Sequence, residues 1–410
     1  MIKLLLIAPT CDGEDVGEAW VAYQWASRLA RRTDLTVLTY HKRGRRPLSD
    51  QLTGARVVEW SEPPLLGRAE RLNSIMKPGY LPFYVESRRW IRARLAAGEH
   101  FDCGHQPVPV AMRYPSPMAG LGIPWVLGPV GGGLQSPPGF AGAEQGAPWF
   151  MNLRRLDRFR MSLDRTLRST YQDADCVLGI ADYVADLLEP LTLKRFEVLS
   201  ETALTELPDG PGPAPVAVGT ESGGPLSLLF VGRLVRTKGP HEAIRSMARL
   251  RDLDVRLDLV GDGPCRSELE QLVEALALGD RVTLHGSLPR TEVERFYRAA
   301  DVFVFPSYRE PGGNVPYEAM GHGLPLIVTD RGGPASSTDA SCAIRLPAID
   351  PDQLTTAVAE AVRHLHDRPE LRREMSAAAL RRVRGSGLWS AKIDRIEDLY
   401  REVIGRGASA

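Results

Sequence analysis

The feature of this sequence that most constrains its fold is an apolar strand that runs straight into a glycine-rich turn. The run Asp301–Pro306 is apolar and ends at proline, which predicts a buried strand of a sheet. The turn at residues 310–319 reads Glu-Pro-Gly-Gly-Asn-Val-Pro-Tyr-Glu-Ala, and we expect a helix over roughly residues 314–322. Ligands of open α/β sheets bind at the carboxyl ends of strands, so this turn is predicted to line a binding site.

The turn carries groups that suit a phosphorylated sugar. Glu310 borders it, and Glu318 lies in the first turns of the expected helix. Gly312 and Gly313 let the backbone approach a ligand closely, and free N–H groups at a helix start favour a diphosphate. The alternative is a loop glutamate plus a solvated helix glutamate, which two glutamates at arbitrary spacing most often are. The surrounding sequence decides between the two interpretations.

A second strand-to-turn segment supplies that context. An apolar strand beginning near Leu226 runs into residues 232–240, which read Gly-Arg-Leu-Val-Arg-Thr-Lys-Gly-Pro. Arginine offers a planar fork to phosphate oxygens and lysine a mobile point charge, so Arg233 and Lys238 could clamp a pyrophosphate. Taken alone, such a turn is more often a solvated basic loop.

Together, these segments resemble the C-terminal half of the retaining nucleotide-sugar glycosyltransferases of family four. Three further segments match in the same order: the strand-to-glycine runs at residues 257–264 and 282–288, and the run at residues 323–329. The resemblance implies an α/β fold of GT-B architecture, with two Rossmann-like domains facing across an interdomain cleft.

The resemblance also implies a role for each matching residue. Arg233 and Lys238 would bind the donor diphosphate and stabilise charge on the departing nucleotide. Glu318 would hydrogen-bond the ribose hydroxyls, and Glu310 would approach the donor sugar. Further donor contacts are implied for Gly232, Leu288 at the nucleobase, and Gly312, Gly313, Asn314 and Val315 at the sugar and phosphate. Many family members have Glu-x-Phe-Gly where this chain has Glu-Pro-Gly-Gly-Asn, a departure that bears on sugar selectivity more than on activity.

The N-terminal half carries weaker signals that agree with this resemblance. Residues 1–9 predict a buried strand, and a helix is expected over about residues 18–31. The strand lacks a basic leader and a small-residue cleavage site, so a signal peptide is not expected. The loop between strand and helix has no Gly-x-Gly-x-x-Gly sequence, which leaves a nicotinamide site unsupported. By likeness to the family, Gly17 and, less strongly, Gly13 are predicted to pass near the donor phosphate and the acceptor.

Two more N-terminal features are candidates for the site. His105 stands where family members often have a histidine that follows a short strand and contacts the donor sugar, and it is the candidate catalytic residue of this half. Its alternative is a loop histidine with no role. The segment Gly128–Gly133 resembles a Gly-Pro-x-Gly-Gly turn of a subset of these enzymes. That turn could present backbone amides to the acceptor, or it could be only a tight connection.

Composition excludes several classes of function. The 51 basic and 51 acidic residues give no net charge, so no electrostatic field draws in nucleic acid. The five cysteines form neither a Cys-x2-Cys metal site nor a disulfide framework, which favours a reducing cytoplasm. No tightly bound cofactor is expected. A metal is not expected at the diphosphate either, because the cation pair and the helix start can neutralise it and no convincing Asp-x-Asp loop is present.

Membrane contact is weakly indicated. No run of 18 or more apolar residues occurs, so a membrane span is not expected. The stretch Trp149–Met161 mixes apolar and basic residues at helical spacing, as helices at membrane surfaces do. We favour the alternative, a helix that packs its apolar side into the N-terminal domain, because Asp157 and Asp164 dilute the positive face.

The chain is long enough for two domains with separate cores. Proline and glycine replace the periodic apolar residues near residues 208–225, which predicts a linker. We therefore expect an acceptor-binding domain at residues 1–205, a linker at 206–225 and a nucleotide-sugar-binding domain at 226–385. Helices are expected at residues 351–366, 369–383 and about 389–404. By the resemblance, the segment 386–410 crosses back onto the first domain.

The resemblance implies a retaining hexosyltransferase-like enzyme. It would move a sugar from a nucleoside-diphosphate sugar, UDP more than GDP, to a hydroxyl of a small-molecule, specialised-metabolite or glycan acceptor. The acceptor would attack from the face of the leaving group, without metal. A GT-B sugar phosphorylase, a nucleotide-sugar epimerase and a non-catalytic nucleotide-sugar-binding scaffold are the alternatives.

Overall fold

The computed structural model describes residues 1–42, 44–62, 79–144, 163–208 and 224–407. It contains two parallel sheets with helices between the strands, an α/β architecture. The residue contacts divide the chain into two compact units. The first comprises the described residues of Met1–Gly133, Trp149–Glu201 and Ile393–Ala410, and the second those of Leu134–Pro148 and Thr202–Lys392.

The first unit is built on a seven-stranded sheet in which every strand pair is parallel. Its strands, ordered β3-β2-β1-β4-β5-β6-β7, are β1 (Lys3–Ile7), β2 (Asp34–His41), β3 (Ala55–Ser61), β4 (Cys103–Gln106), β5 (Trp125–Val130), β6 (Cys176–Gly179) and β7 (Phe196–Val198). The central strands are buried along nearly their whole length because helices cover both faces of a parallel sheet. The first strand, predicted over residues 1–9, is confirmed.

The helices of the first unit are α1 (Glu18–Leu29), α2 (Leu48–Gln51), α3 (Tyr80–Ala96), α4 (Arg165–Asp173) and α5 (Tyr183–Leu188). The start of α4 is fixed by Asp164, whose side chain accepts hydrogen bonds from two backbone N–H groups of the first helical turn. The expected amphipathic helix at Trp149–Met161 lies outside the described residues.

The second unit has a six-stranded parallel sheet with the order β10-β9-β8-β11-β12-β13. The strands are β8 (Leu226–Val231), β9 (Val255–Val260), β10 (Val282–Gly286), β11 (Val302–Phe305), β12 (Leu326–Thr329) and β13 (Ala343–Leu346). Numbered within the unit, this is the 3-2-1-4-5-6 order of a Rossmann sheet. Both strands that the sequence analysis placed before a functional turn, β8 and β11, are confirmed.

The helices of the second unit are α6 (Pro240–Met247), α7 (Arg266–Ala275), α8 (Arg290–Ala299), α9 (Val315–Gly321), α10 (Gly332–Ser337), α11 (Pro351–His366) and α12 (Pro369–Arg382). The last helix, α13 (Trp389–Gly407), changes unit at residue 393. The three C-terminal helices expected from the sequence are therefore confirmed, with ends shifted by at most three residues at the end of α13. In the part of the chain that the structure describes, no helix is long and apolar enough to cross a membrane.

Each sheet reverses its winding direction between two neighbouring strands. In the first unit these strands are β1 and β4, and in the second unit β8 and β11. Loops that follow such a pair diverge to opposite faces and leave a crevice at the carboxyl end, where α/β proteins bind ligands. The two turns predicted to hold the donor follow β8 and β11, so the topology of the second unit brings them together. We call residues 232–240 and 310–319 the donor turns, after this prediction.

Candidate functional site

The turn after β8 carries three cations, and only some of them are available to a ligand. Arg236 donates two hydrogen bonds, of 2.7 and 2.6 Å, to the carboxylate of Glu242, which is fully buried in α6. Burial opposes the charge of Arg236, but the contact with Glu242 outweighs it and raises the pKa of the guanidinium. Arg233 is exposed, and no carboxylate of the described residues pairs with it. Arg236 therefore holds the turn in place, while the predicted binding of the donor diphosphate by Arg233 stays a prediction.

Lys238 connects this turn to the one after β11. Its Nζ lies 3.1 Å from Glu310 Oε2, with the side chains only 22% and 15% exposed, and 5.4 Å from the centre of the Phe305 ring. Gly239, at φ 73°, is where the two turns touch: a Cβ there would lie 2.2 Å from the carbonyl oxygen of Pro306. A larger residue would separate the turns, so the glycine after the lysine is a requirement of the fold.

Glu318 lies on the first turns of α9 with both carboxylate oxygens in use. Asn314, the N-cap residue, donates to Oε1 over 3.2 Å, and the Tyr297 hydroxyl donates to Oε2 over 3.1 Å. Burial and the neighbouring carboxylate hold the pKa of Tyr297 well above its usual value, so its hydroxyl stays a donor at every ordinary pH. The side chain of Glu318 is thus held in one orientation while staying partly exposed.

Gly332 and Gly333, which the sequence analysis did not single out, pack against the backbone of the turn that carries Glu310. Gly333 donates its N–H to the carbonyl oxygen of Glu310 over 2.9 Å. A Cβ on Gly333 would lie 2.1 Å from the carbonyl oxygen of Gly312, and one on Gly332 would lie 2.2 Å from that of Glu310. The two glycines follow β12 after Asp330 and Arg331, and nothing in that local sequence indicates which turn they contact.

A segment from the first half of the sequence also belongs to this unit. We call residues 134–144 the strap. Phe140 is fully buried, and its ring stacks on Tyr308 with centroids 3.9 Å apart. The 3₁₀ helix of the strap (Pro138–Glu144) packs against the 3₁₀ turn Arg236–Lys238, and Arg331 donates to the backbone oxygen of Gln135 over 2.9 Å. The strap therefore supports both donor turns, and no local motif in its sequence indicated this.

The remaining donor contacts predicted in this half are Gly232, Gly313, Val315 and Leu288. The first three lie in the two turns described above: Gly232 follows β8, Gly313 precedes α9, and Val315 begins α9. Leu288 lies between β10 and α8, half-buried, where it packs partly against the core. All these residues follow the carboxyl ends of strands of one sheet.

In the first unit, the loop after β1 is held by a residue outside the predicted set. Gln51 accepts a hydrogen bond from the Gly13 N–H over 2.8 Å and donates to Asp12 Oδ1 over 3.1 Å. Gly17, at φ 66°, precedes α1, with open space where a Cβ would stand. Asp12 and Gln51 therefore hold the loop in place, and the space beside Gly17 is open. The approach of Gly17 to the donor stays a prediction.

The structure places His105 inside β4 rather than after it, with its side chain fully buried. Its Nε2 lies 2.7 Å from the carbonyl oxygen of Gly128 and its Nδ1 2.6 Å from the hydroxyl of Tyr400 on α13. Burial lowers the pKa of the imidazole to about 4, so the ring is neutral near pH 7. Both nitrogens are engaged, so the predicted contact with a donor sugar would require one of these hydrogen bonds to open.

Two backbone amides of the glycine-rich segment Gly128–Gly133 form hydrogen bonds within the protein. The Gly131 N–H donates to the carbonyl oxygen of Val110 over 2.7 Å, and the Gly132 N–H donates to the Tyr183 hydroxyl over 3.1 Å. These contacts favour the interpretation as a tight connection over presentation of amides to an acceptor.

The family comparison agrees with this site. Residues 217–382 match the family model described as glycosyl transferases group 1. The match contains both donor turns and the whole second sheet. It covers less than half of the chain, so it speaks for the second unit alone.

Curated relatives show the same partial likeness. The lipopolysaccharide core biosynthesis glycosyltransferase LpsD of Rhizobium meliloti is 36% identical over 183 residues, which are 44% of this chain and 50% of LpsD. The alpha-D-kanosaminyltransferase of Streptomyces kanamyceticus is 33% identical over 179 residues, which are 43% of this chain and 45% of that protein. The aligned residues thus span about half the length of these relatives.

Solved structures match over almost the entire chain. Sucrose-phosphate synthase of Thermosynechococcus elongatus has a TM-score of 0.62 at 21% identity, covering 98% of this chain and 99% of that one. HepE of Anabaena, solved in complex with UDP, has a TM-score of 0.64 at 15% identity, covering 98% of this chain and 100% of its own. At these identities the likeness shows the fold alone, which is the GT-B fold that the sequence predicted.

Proposed function

Because residues 217–382 are a domain of the group 1 glycosyl transferases within a GT-B fold, we propose that the protein is a retaining glycosyltransferase. It takes a sugar from a nucleoside-diphosphate donor, UDP in preference to GDP, and passes it to a hydroxyl of a small-molecule, specialised-metabolite or glycan acceptor. The observation that carries the proposal is the junction of the two donor turns, where exposed Arg233 stands near a Lys238–Glu310 pair at the switch point of the sheet.

The charges at this junction suit a diphosphate leaving group. Arg233 has no carboxylate partner among the described residues, so its charge is available to the phosphate oxygens. Lys238 is held by Glu310 at 3.1 Å, and an arriving diphosphate would compete for its ammonium group. Together the two cations would stabilise the charge that develops as the sugar-phosphate bond breaks. We propose that they do so without a metal ion at the diphosphate.

Glu310 and Glu318 take different parts in this proposal because the structure constrains them differently. Glu318 is oriented by two donors, and we propose that its remaining acceptor positions bind the ribose hydroxyls of the donor. Glu310 is tied through its backbone oxygen to Gly333 and through its side chain to Lys238, which suits it to position a sugar hydroxyl. Lys238 engages Glu310, and Asn314 and Tyr297 engage Glu318, so we propose that the two carboxylates do not act as a hydrolase pair.

The proposed reaction retains the anomeric configuration. The bond between the anomeric carbon and the phosphate oxygen breaks, and the acceptor oxygen forms its bond to that carbon from the same face. The acceptor's hydroxyl proton passes to the departing phosphate, so no separate base is needed. UDP is proposed as the carrier since HepE, which shares the fold, was solved with UDP. The cytoplasm is the proposed location.

The experiment that tests this is donor turnover by the purified chain. A panel of UDP- and GDP-sugars is incubated with the protein in EDTA, and released nucleotide is measured with and without a mixture of hydroxyl acceptors. We expect slow release from one donor and faster release with an acceptor, and NMR of the product should show the donor's anomeric configuration. Arg233→Ala should lower the rate at least 100-fold, while Arg256→Ala, an exposed arginine on β9, should not.

Each other outcome has a clear meaning. Turnover that requires inorganic phosphate would indicate a phosphorylase, and an epimerised donor without acceptor would indicate an epimerase. Nucleotide binding with neither release nor transfer would indicate a non-catalytic scaffold. An inverted product, or turnover that stops in EDTA, would refute retention or metal independence while leaving sugar transfer in place.

A further inference from the structure

A group of three potential metal ligands lies in the second unit, away from the carboxylates assigned to the donor. It consists of His241 in the first turn of α6, Cys265 at the N-cap of α7 and Glu268 in the first turn of α7. One ligand atom of each residue lies within 4.8 Å of those of the other two. Cys265 and Glu268 are three positions apart at a helix start, so their side chains share one face.

The histidine is the residue that points to a ligand. Its side chain is 2% exposed, and neither ring nitrogen has a hydrogen-bond partner among the residues that the structure describes. Its Nε2 nevertheless lies 2.9 Å from Glu268 Oε1. Buried polar atoms are almost always hydrogen-bonded, and an exception calls for an explanation such as an ion. Such a close nitrogen–oxygen contact is compatible with two atoms that bind one metal ion.

We propose that His241, Cys265 and Glu268 bind a divalent transition metal of the zinc class. One nitrogen, one thiolate and one carboxylate form a ligand set that zinc accepts, with a water or another ligand in the fourth position. Metal–ligand distances of about 2.0–2.3 Å require the three side chains to adjust from a spacing of up to 4.8 Å. Cys265 is half-buried and Glu268 is 65% exposed, so both side chains have room to adjust. The proton of the thiol is released to solvent as the metal binds.

The nearest charges allow such a site. Arg236 is a cation that acts electrostatically on both His241 and Cys265, and its two hydrogen bonds to buried Glu242 neutralise it. The thiolate and the Glu268 carboxylate would then balance the two positive charges of the metal. A buried neutral imidazole completes the set, and it requires no desolvation of a further charge.

The site would stabilise the base of the donor turn. His241 follows Lys238 by one helical turn, and the backbone N–H of Cys265 donates to the carbonyl oxygen of Leu234 over 3.1 Å. A metal would therefore join the starts of α6 and α7 directly beneath the segment that carries Arg233 and Lys238. This inference concerns metal binding alone and stands whether or not the protein transfers a sugar.

Cobalt(II) titration of the purified, metal-stripped chain tests the site, because cobalt–thiolate bonds absorb in the near ultraviolet. We expect one equivalent of Co²⁺ to produce this band, zinc to displace it, and the melting temperature to rise with either ion. Cys265→Ser should abolish the band. Cys342→Ser, which alters a buried cysteine elsewhere in the same unit, should retain it.

A second variant keeps the test independent of folding. Glu268 is exposed, so Glu268→Gln should fold normally and bind the metal at least tenfold more weakly. Absence of the band in the wild-type chain would overturn the proposal. So would a band that Cys265→Ser retains, or an affinity that Glu268→Gln leaves unchanged.

Discussion

Replacing Glu318 should weaken nucleotide binding by an amount that the structure allows to be worked out. A carboxylate offers about four acceptor positions. Asn314 and Tyr297 occupy one on each oxygen, which leaves one position per oxygen for the two hydroxyls of a ribose. A hydrogen bond to a charged group contributes about 1.5–3 kcal/mol. Because Glu318 is only partly buried, the lower figure applies, and two bonds give about 3 kcal/mol, or roughly 100-fold in Kd.

Calorimetry with UDP measures this directly. Glu318→Ala should bind UDP roughly 100-fold more weakly than wild type, and Glu318→Gln, which keeps one acceptor oxygen, about 10-fold more weakly. Tyr297→Phe removes a supporting donor but keeps the carboxylate, so its effect should be smaller than that of Glu318→Gln. Glu274→Ala, an exposed glutamate on α7, is the matched control and should bind as wild type does.

The nucleotide itself supplies the stricter test. Wild type should prefer UDP over 2′-deoxy-UDP, because the deoxy compound lacks one partner of the carboxylate. In Glu318→Ala that preference should disappear, since the group that reads the hydroxyl is gone. If the variant still discriminates between the two nucleotides as wild type does, Glu318 does not contact the ribose and the assignment is refuted.

Three further predictions concern charge and burial. Lys238→Ala should lower kcat about 100- to 1,000-fold in a donor-turnover assay, with Arg256→Ala as the control, and a loss below tenfold would speak against its part in leaving-group stabilisation. Glu242→Gln leaves Arg236, whose side chain is 15% exposed, without its charged partner and should cost about 3–5 kcal/mol in urea unfolding; a midpoint equal to wild type would contradict this. Burial lowers the pKa of both His105 and His322 to about 4 in the folded protein. Between pH 6.5 and 4 the unfolded chain therefore binds more protons than the folded protein does. The contribution of each histidine to the free energy of unfolding should be complete above pH 6.5 and fall by about 3 kcal/mol toward pH 4. Urea midpoints at pH 7, 5.5 and 4.5 measure this fall, and His105→Gln should reduce it.

The sequence could predict the parts of the site that are built locally. A strand, its stop signal and the turn behind it lie within about fifteen residues, so β8 with Arg233 and β11 with Glu310 were visible as patterns. Helix α11 was equally clear from the sequence, because Pro351 marks its first residue. In the structure, the preceding Asp350 accepts hydrogen bonds from two N–H groups at the start of this helix. Glu318 was also located correctly on its helix.

The parts that depend on distant segments could not be read in this way. The carbonyl oxygens of Glu310 and Gly312 are approached by the glycine pair at 332–333, and Tyr308 is covered by Phe140. Such contacts have no signature in either segment alone. The surroundings of His105 were missed for the same reason, since Tyr400, which hydrogen-bonds its ring, lies almost at the other end of the sequence.

The strap has a consequence for recombining this protein with its relatives. A chimaera joined at the predicted linker, near residue 208, would take Tyr308 from one parent and Phe140 from the other, because the strap is encoded in the first half of the gene and packs in the second unit. In such a chimaera, the second unit of one parent would pack against the strap of the other parent. A graft that carries residues 134–144 together with the second half keeps this support intact. Each compact unit of this protein is therefore made of several separate sequence segments. Crossover points should be chosen so that all segments of one unit come from the same parent.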